Sequence, residues 1–333
     1  MLTDVAQRNY AQAVDAADRR TGIKVVHDAL SCGTDPLQVL TGLIAPIQDA
    51  VGQRWQEGQY TVAQEHAATA VADAAVAAVE AWIPNPTEPH GHVVVACPER
   101  EWHALAARIL AESLRHLGWR TTFLGASTPA RYLPGYLRRL RPDVMAVSCT
   151  VPAALPGARR IVEVAAAAGM PTIVGGRALG VDSSRATVLG ASGWGASPQE
   201  TADVLAETHP LDQPVPALPR PGAAERAEAL LRDRQLPGLV RVAWDGTVSD
   251  TCLPDLDVEA EFAVDHVIQA LAAATLLDDP SLLRDANEWL EALLTARGCR
   301  PDTVAPLWTA LFRVLDHRCP PADVLLREGL GGS

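Results

Sequence analysis

Two residues in one short turn carry the clearest chemistry in this sequence: Glu101 and His103, within Glu99-Arg100-Glu101-Trp102-His103. An imidazole there can act as a general base, ligate a metal or sit hydrogen-bonded in a core, and a carboxylate two positions earlier can orient the ring from behind. The turn follows the apolar run Val93-Val94-Val95-Ala96-Cys97 and leads into a helical pattern from Ala104 to Leu117. An apolar run that ends in a polar turn before a helix marks the C-terminal end of a buried parallel strand, where open α/β sheets bind their ligands.

Three more polar turns close apolar runs: Gly125-Ala126-Ser127, Ser148-Cys149-Thr150 and Gly175-Gly176. Each alone is ordinary turn chemistry; together, hydroxyls and glycines at neighbouring strand ends suit a slot that admits a long polar tail between backbone segments. Upstream, Trp55, Glu65 and His66 cluster at one end of a helical region. A solvated helix face and a core tryptophan explain them simply, but a flat aromatic beside two polar groups also suits a large planar ligand. Downstream, His266 shares a helical face with Phe262 and Ala270, with Trp289, Trp308 and His317 as further candidates. Helix packing is the plain account of these, although a histidine amid Ala and Leu can hold a flat chromophore.

Three blocks of sequence must position these groups. Residues 1–84 read as a four-helix bundle, with apolar residues at helical spacing in 10–20, 23–30, 36–51 and 62–82 and breaks at Thr21-Gly22, Ser31-Cys32-Gly33 and Gly58. Ile83 to Pro89 is a proline-stiffened linker. Residues 91–208 repeat strand then helix five times, which predicts a doubly wound parallel α/β sheet. No G-x-G-x-x-G or Walker sequence supplies a phosphate cradle. The stretch from His209 to Pro221 holds five prolines and forms a second linker. Residues 222–328 are expected to be all-helical, with helices over 223–234, 258–277, 280–297 and 302–315, an ambiguous segment at 239–244, a loop at 246–255 and a short last helix at 321–327.

The composition of the 333 residues, 48% hydrophobic and 20% charged, is that of a globular chain, and a net charge of -12 argues against a general nucleic-acid surface. No uninterrupted apolar run reaches membrane-spanning length and no basic segment precedes an apolar one near Met1, so the expected compartment is the cytoplasm, away from any membrane. The six cysteines form no C-x-x-C pair and read as buried thiols.

The segment from Pro98 to Leu105, with Gly118 and Leu124-Gly125, resembles the cobalamin-binding domain of the light-sensing regulator CarH and its relatives, in which Glu-x-His replaces the Asp-x-His-x-x-Gly of methionine synthase. The resemblance implies that His103 is the lower axial cobalt ligand, with Glu101 and Trp102 beside it and Ser148, Thr150, Gly175 and Gly176 walling the slot for the cofactor's tail. Trp55, Val62, Glu65 and His66 fall at the spacing of that family's cap, which covers the adenosyl group. The resemblance spans residues 15–207. The third block is similar in architecture and length to photocobilins, which implies biliverdin as a second chromophore, with His266, Arg241, Arg284 and Arg313 as candidate contacts.

Two departures matter. No N-terminal helix-turn-helix stands in the sequence, so no direct nucleic-acid contact is expected, and output would pass through a light-dependent homo-oligomer or a downstream signalling protein. The histidine that follows the cap tryptophan in the family is Gln56 here, a poor cobalt ligand. The resemblance implies a light sensor using adenosylcobalamin rather than an enzyme. The alternatives are a corrinoid shuttle for methyl transfer, disfavoured because the third residue after His103 is not Gly, a mutase subunit, which would need a separate substrate barrel, and a signalling module that binds no cobalamin.

Overall fold

The computed structural model describes residues 2–208, 214–245, 256–315 and 329. The chain divides into two compact units, one of Met1–Thr150 with Gly157–Val215 and the other of Val151–Pro156 with Pro216–Ser333. Cys252, Cys319, His317, the loop expected at 246–255 and the short helix expected at 321–327 lie outside the described residues.

In the first unit, helices α1 (Asp4–Asp15), α2 (Arg19–Ser31), α3 (Pro36–Val39), α4 (Ala45–Gln56) and α5 (Val62–Glu80) form the expected helical cap. Its starts are capped as the sequence dictates. Asp18 accepts from the Thr21 N–H at 3.0 Å, Pro36 follows the capping Asp35, and Thr61 and Gln64 form a reciprocal capping box. The expected break at Thr21-Gly22 is wrong. The chain turns four residues before Thr21, where Ala17 takes φ 51°, and Gly22 lies inside α2 because α5 presses on it: a Cβ there would meet Val71 Cγ1 at 2.8 Å. The helix of 36–56 is also not uniform. Leu40–Ile44 form a π turn, with the Ala45 N–H reaching back to the Leu40 carbonyl. Pro46 follows, whose ring would clash with the carbonyl four residues back in a regular α-helix, and the extra residue per turn relieves that conflict. Tyr10, Val26, Leu40, Leu43, Ile44, Val71 and Val76 are fully buried and make the cap core.

The sheet is five-stranded and parallel, in the order β2-β1-β3-β4-β5, with β1 His92–Ala96, β2 Arg120–Phe123, β3 Val144–Ser148, β4 Thr172–Gly175 and β5 Gly193–Trp194. Every residue of β1 and β3 is buried, as central parallel strands require. The connections are α6 (Ala104–His116), α7 (Leu133–Leu140), α8 (Leu155–Ala166) and α9 (Ser184–Leu189), and α10 (Pro198–Glu207) follows β5. The helix expected from Val181 starts only at Ser184, and Val181 itself is exposed. Because the chain leaves β1 for β2 on one side and returns to β3 on the other, the loops after β1 and β3 diverge. Their crevice is the topological switch point where such sheets take ligands.

The second unit contains α11 (Ala223–Arg232), α12 (Leu236–Asp245), α13 (Leu256–Leu277), α14 (Ser281–Ala296) and α15 (Val304–Leu315). The ambiguous segment 239–244 is therefore helical. Among the described residues one window, Ala260–Leu277, is long and apolar enough by composition to cross a membrane, and 72% of it is buried within the fold, as the central helix of a bundle would be. Trp308 donates its indole N–H to Asn287 at 3.0 Å, a core partnership.

His266 stacks against Trp289 at 4.6 Å and against Phe262 at 6.0 Å. Burial pushes its pKa down from 6.5 to about 4. The unfolded chain therefore binds a proton at His266 more readily than the folded one. This unit should lose stability as pH falls from about 6.5 to about 4 and level off below that. The full shift is worth roughly 3 kcal/mol, and because the ring keeps part of its surface in water we expect about 2. Calorimetry of the full chain across that range checks this; a pH dependence identical in His266→Phe would refute it.

Candidate functional site

The turn after β1 is tied down before it reaches the histidine. The Cys97 carbonyl accepts from Thr128 N–H at 2.8 Å, the Ser127 N–H donates to the Glu101 carbonyl at 2.8 Å, and Arg100 takes φ 72°. These bonds lash the turn to the loop after β2. They also drive the Glu101 side chain inward, where it is fully buried. Its Oε1 accepts the His103 backbone N–H at 2.9 Å and faces His103 Nδ1 at 2.8 Å, while Oε2 accepts the Thr150 N–H from the loop after β3. One carboxylate thus closes the switch-point crevice and fixes the imidazole at its rim.

The electrostatics follow from that geometry. Burial alone would raise the Glu101 carboxyl, but the hydrogen bonds from His103 and Thr150 outweigh it and hold the pKa below its usual range. The Glu101 hydrogen bond raises the pKa of His103 against the opposing effect of burial, with Glu65 adding to the rise and Arg177 opposing it. A carboxylate at Nδ1 keeps the proton there and leaves the Nε2 lone pair pointing away. The His103 side chain is 63% exposed, so Nε2 is presented to a ligand rather than packed away.

The other strand ends are built close. Ser148 is buried at the end of β3. A Cβ on Gly175 would stand 2.6 Å from the Gly195 carbonyl oxygen, and one on Gly176, at φ 101°, would stand 2.5 Å from that of Cys149. Only glycine allows these backbones to approach so closely. The thiols nearby are inert: burial pushes Cys97 up to about 12 and raises Cys149 as well.

The cap contributes from above. Gln48 donates to Thr69 Oγ1 at 2.7 Å, and Thr69 donates to Glu65 Oε1 at 2.7 Å, a relay that pins Glu65 between α4 and α5. His66 Nε2 lies 3.6 Å from Glu65 Oε2 and its side chain is largely exposed. Trp55 near the end of α4 and Val62 at the start of α5 flank the short connecting loop, Trp55 partly buried and Val62 exposed. Trp102 is the most exposed aromatic of the set, at 73%. Glu65 and His103 are thus brought within electrostatic reach, whereas His266 belongs to the second unit. Of the arginines named there, Arg284 and Arg313 are exposed and Arg241 lies over the Trp244 ring at 6.0 Å.

Two charged groups at this site were not legible in advance. Arg177, directly after Gly175-Gly176, reaches Asp49 of α4 at 3.6 Å and so pairs the loop after β4 with the cap. The glycine pair was a signal for Arg177; nothing local marks Asp49. Among the described residues no cluster of three or more metal-ligating side chains occurs.

Residues 91–202 match the family model of the B12 binding domain, and residues 6–80 match a second B12 binding domain model. The HTH-type transcriptional repressor CarH of Myxococcus xanthus is 37% identical over 123 residues, covering 37% of this chain and 40% of that protein. The chain thus spans less than half the length of that curated relative. Trimethylamine corrinoid protein 1 of Methanosarcina mazei is 25% identical over 198 residues, 56% of this chain and 90% of the relative. Among solved structures, the monomethylamine corrinoid protein of Methanosarcina barkeri superposes with a TM-score of 0.55 at 14% identity over 62% of this chain and 99% of its own, a likeness of fold. Helical cap and parallel sheet therefore both match B12-binding domains, and the similarity extends to an HTH-type transcriptional repressor. The comparison also corrects the expectation of no direct nucleic-acid partner, because CarH is an HTH-type transcriptional repressor.

Proposed function

We propose that this chain is a cobalamin-dependent light sensor with adenosylcobalamin as its cofactor. The observation that carries the reading is the Glu101–His103 pair at the β1/β3 crevice, with Nδ1 held at 2.8 Å by a buried carboxylate and Nε2 turned outward. That is the donor arrangement a cobalt with one open lower position requires. The close-built glycines 175 and 176 beside Ser148 and Thr150 suit a nucleotide tail, so the residues present fit the group.

His103 would ligate cobalt, Glu101 would hold its tautomer, and Trp55, Val62, Glu65 and His66 would cover the opposite face. When bound, adenosylcobalamin supplies a cobalt–carbon bond that light can break. The protein's part is to make cap packing depend on the adenosyl group, so that its departure shifts the balance between cap arrangements or oligomeric states. With Gln56 after Trp55, no histidine stands there to replace it. The Phe262–His266–Trp289 stack supports a flat second chromophore, biliverdin, in the second unit. The CarH similarity brings DNA into this reading as an output partner.

A methyl-carrying corrinoid shuttle is the second reading, favoured by the coverage of the trimethylamine corrinoid relative. One experiment separates them: spectra of the chain loaded with adenosylcobalamin and biliverdin, with excess removed, in the dark and after green light. Stoichiometric corrin bands that change irreversibly support the sensor. Light-stable corrin bands with methyl-transfer activity would replace it with the shuttle, and no retained corrin would end both.

A further inference from the structure

A second surface, remote from His103, concentrates arginines. Between Ser113 and Pro142 the sequence contains six arginines and no Asp or Glu, and residues 91–208 hold twelve arginines against nine carboxylates in a chain of net charge -12. The sheet is thus a basic island in an acidic protein. Two of the six are spoken for: Arg115 pairs with Glu112, and Arg131 with Glu99 at 3.0 Å. Arg120, Arg138, Arg139 and Arg141 are exposed, and among the described residues none of them pairs with a carboxylate.

The fold gathers these four at one end. Arg120 opens β2 and is paired in register with His92, while the Asp143 N–H donates to the His92 carbonyl at 2.8 Å from the other side. Arg138 and Arg139 end α7, and Arg141, at φ 50°, turns the chain off the helix towards β3. All four therefore lie at the N-terminal edge of the sheet, opposite the strand ends that carry His103. Arginines at a helix C-terminus also favour the helix dipole, which accounts for Arg138 and Arg139. It does not account for Arg120 across the sheet or for the absence of acids. Asp143, two residues after Arg141, accepts the His92 N–H at 2.7 Å.

We propose that this edge binds the phosphate backbone of double-stranded DNA. Four guanidiniums presented without carboxylate partners match phosphates in charge and in bidentate geometry. The overall negative charge does not prevent this, because at physiological salt charges beyond about 8 Å are largely screened and the local field decides. The surface involves no cofactor residue, so its failure would leave the cobalamin reading intact.

The test is fluorescence anisotropy of the full chain with a random-sequence duplex at several salt concentrations. Four phosphate contacts give a log–log salt slope of about -3.6, roughly a hundredfold loss of affinity between 50 and 200 mM salt. The quadruple variant Arg120→Ala, Arg138→Ala, Arg139→Ala, Arg141→Ala should lose at least about tenfold at 50 mM and most of the slope, with the cooperative melting transition retained and only slightly lowered, because all four side chains are exposed and only the helix-dipole contribution of Arg138 and Arg139 is lost. Absence of duplex binding by the unaltered chain at 50 mM salt, or a variant with unaltered affinity and slope, overturns the proposal. Polyglutamate binding more tightly than the duplex would also overturn it, making the edge a dock for an acidic protein.

Discussion

His103→Ala should leave the chain folded and cost about a hundredfold or more in cobalamin retention, with the spectrum shifted towards the form that lacks a lower nitrogen ligand. The stability side is small because the His103 side chain is 63% exposed. Glu101 loses the ring Nδ1 but keeps the backbone N–H groups of His103 and Thr150, so the cost is about 1 kcal/mol. The binding side is large because a direct ligand is removed, when even partners behind a ligand typically carry about 10–100-fold. Glu101→Gln supplies that smaller effect: the amide can still accept one bond but cannot hold the charge that keeps the proton on Nδ1. Retention and spectrum are read by gel filtration and absorbance after loading. If His103→Ala keeps both unchanged, His103 is not the lower ligand, whatever the similarity to B12-binding domains.

The order in which the sequence yields its structure follows the range of the interactions. The sheet was legible because Val93–Cys97 and Val144–Ser148 are buried on both faces and must read as unbroken apolar runs. The pairing of Glu101 with His103 was legible because it spans two residues. Gly22 misled because glycine can mark a helix end or a close contact, and only the position of Val71, 49 residues on, decides between them. The segment 239–244 was ambiguous because Val240 and Val242 favour strands locally while packing against α15 is non-local. The same limit hid Asp49 beside Arg177 and Gln48 behind Thr69. Those contacts join cap helices to one another or to the sheet, and no window along the chain contains both partners. What the sequence conceals is therefore how the cap is fastened, the part a switch would have to move.

Gly176→Ala should be the most destabilising single methyl addition in the first unit, at more than about 4 kcal/mol. The residue sits at φ 101° and ψ 164°, a region closed to side chains, which alone costs about 1–3 kcal/mol. The added Cβ would then stand 2.5 Å from the Cys149 oxygen and 2.9 Å from its nitrogen and carbonyl carbon, all backbone atoms that cannot rotate aside. Cys149 is held in place by its N–H donating to the Gly175 carbonyl at 2.9 Å and by the Ala178 N–H donating to its own carbonyl at 3.1 Å. Relief therefore means moving the β3 loop, and Thr150, the next residue, would carry its N–H away from Glu101. The variant should lose cobalamin along with stability, through the carboxylate rather than through any contact of residue 176. Gly125→Ala is the control: its φ is 82°, but a Cβ there meets nothing within 4 Å, so strain alone of about 1 kcal/mol is expected. Denaturant unfolding of the two variants measures the difference. Equal losses would mean that the close approach at Cys149 relaxes freely, and the tail slot would then not be the rigid cradle its glycines describe.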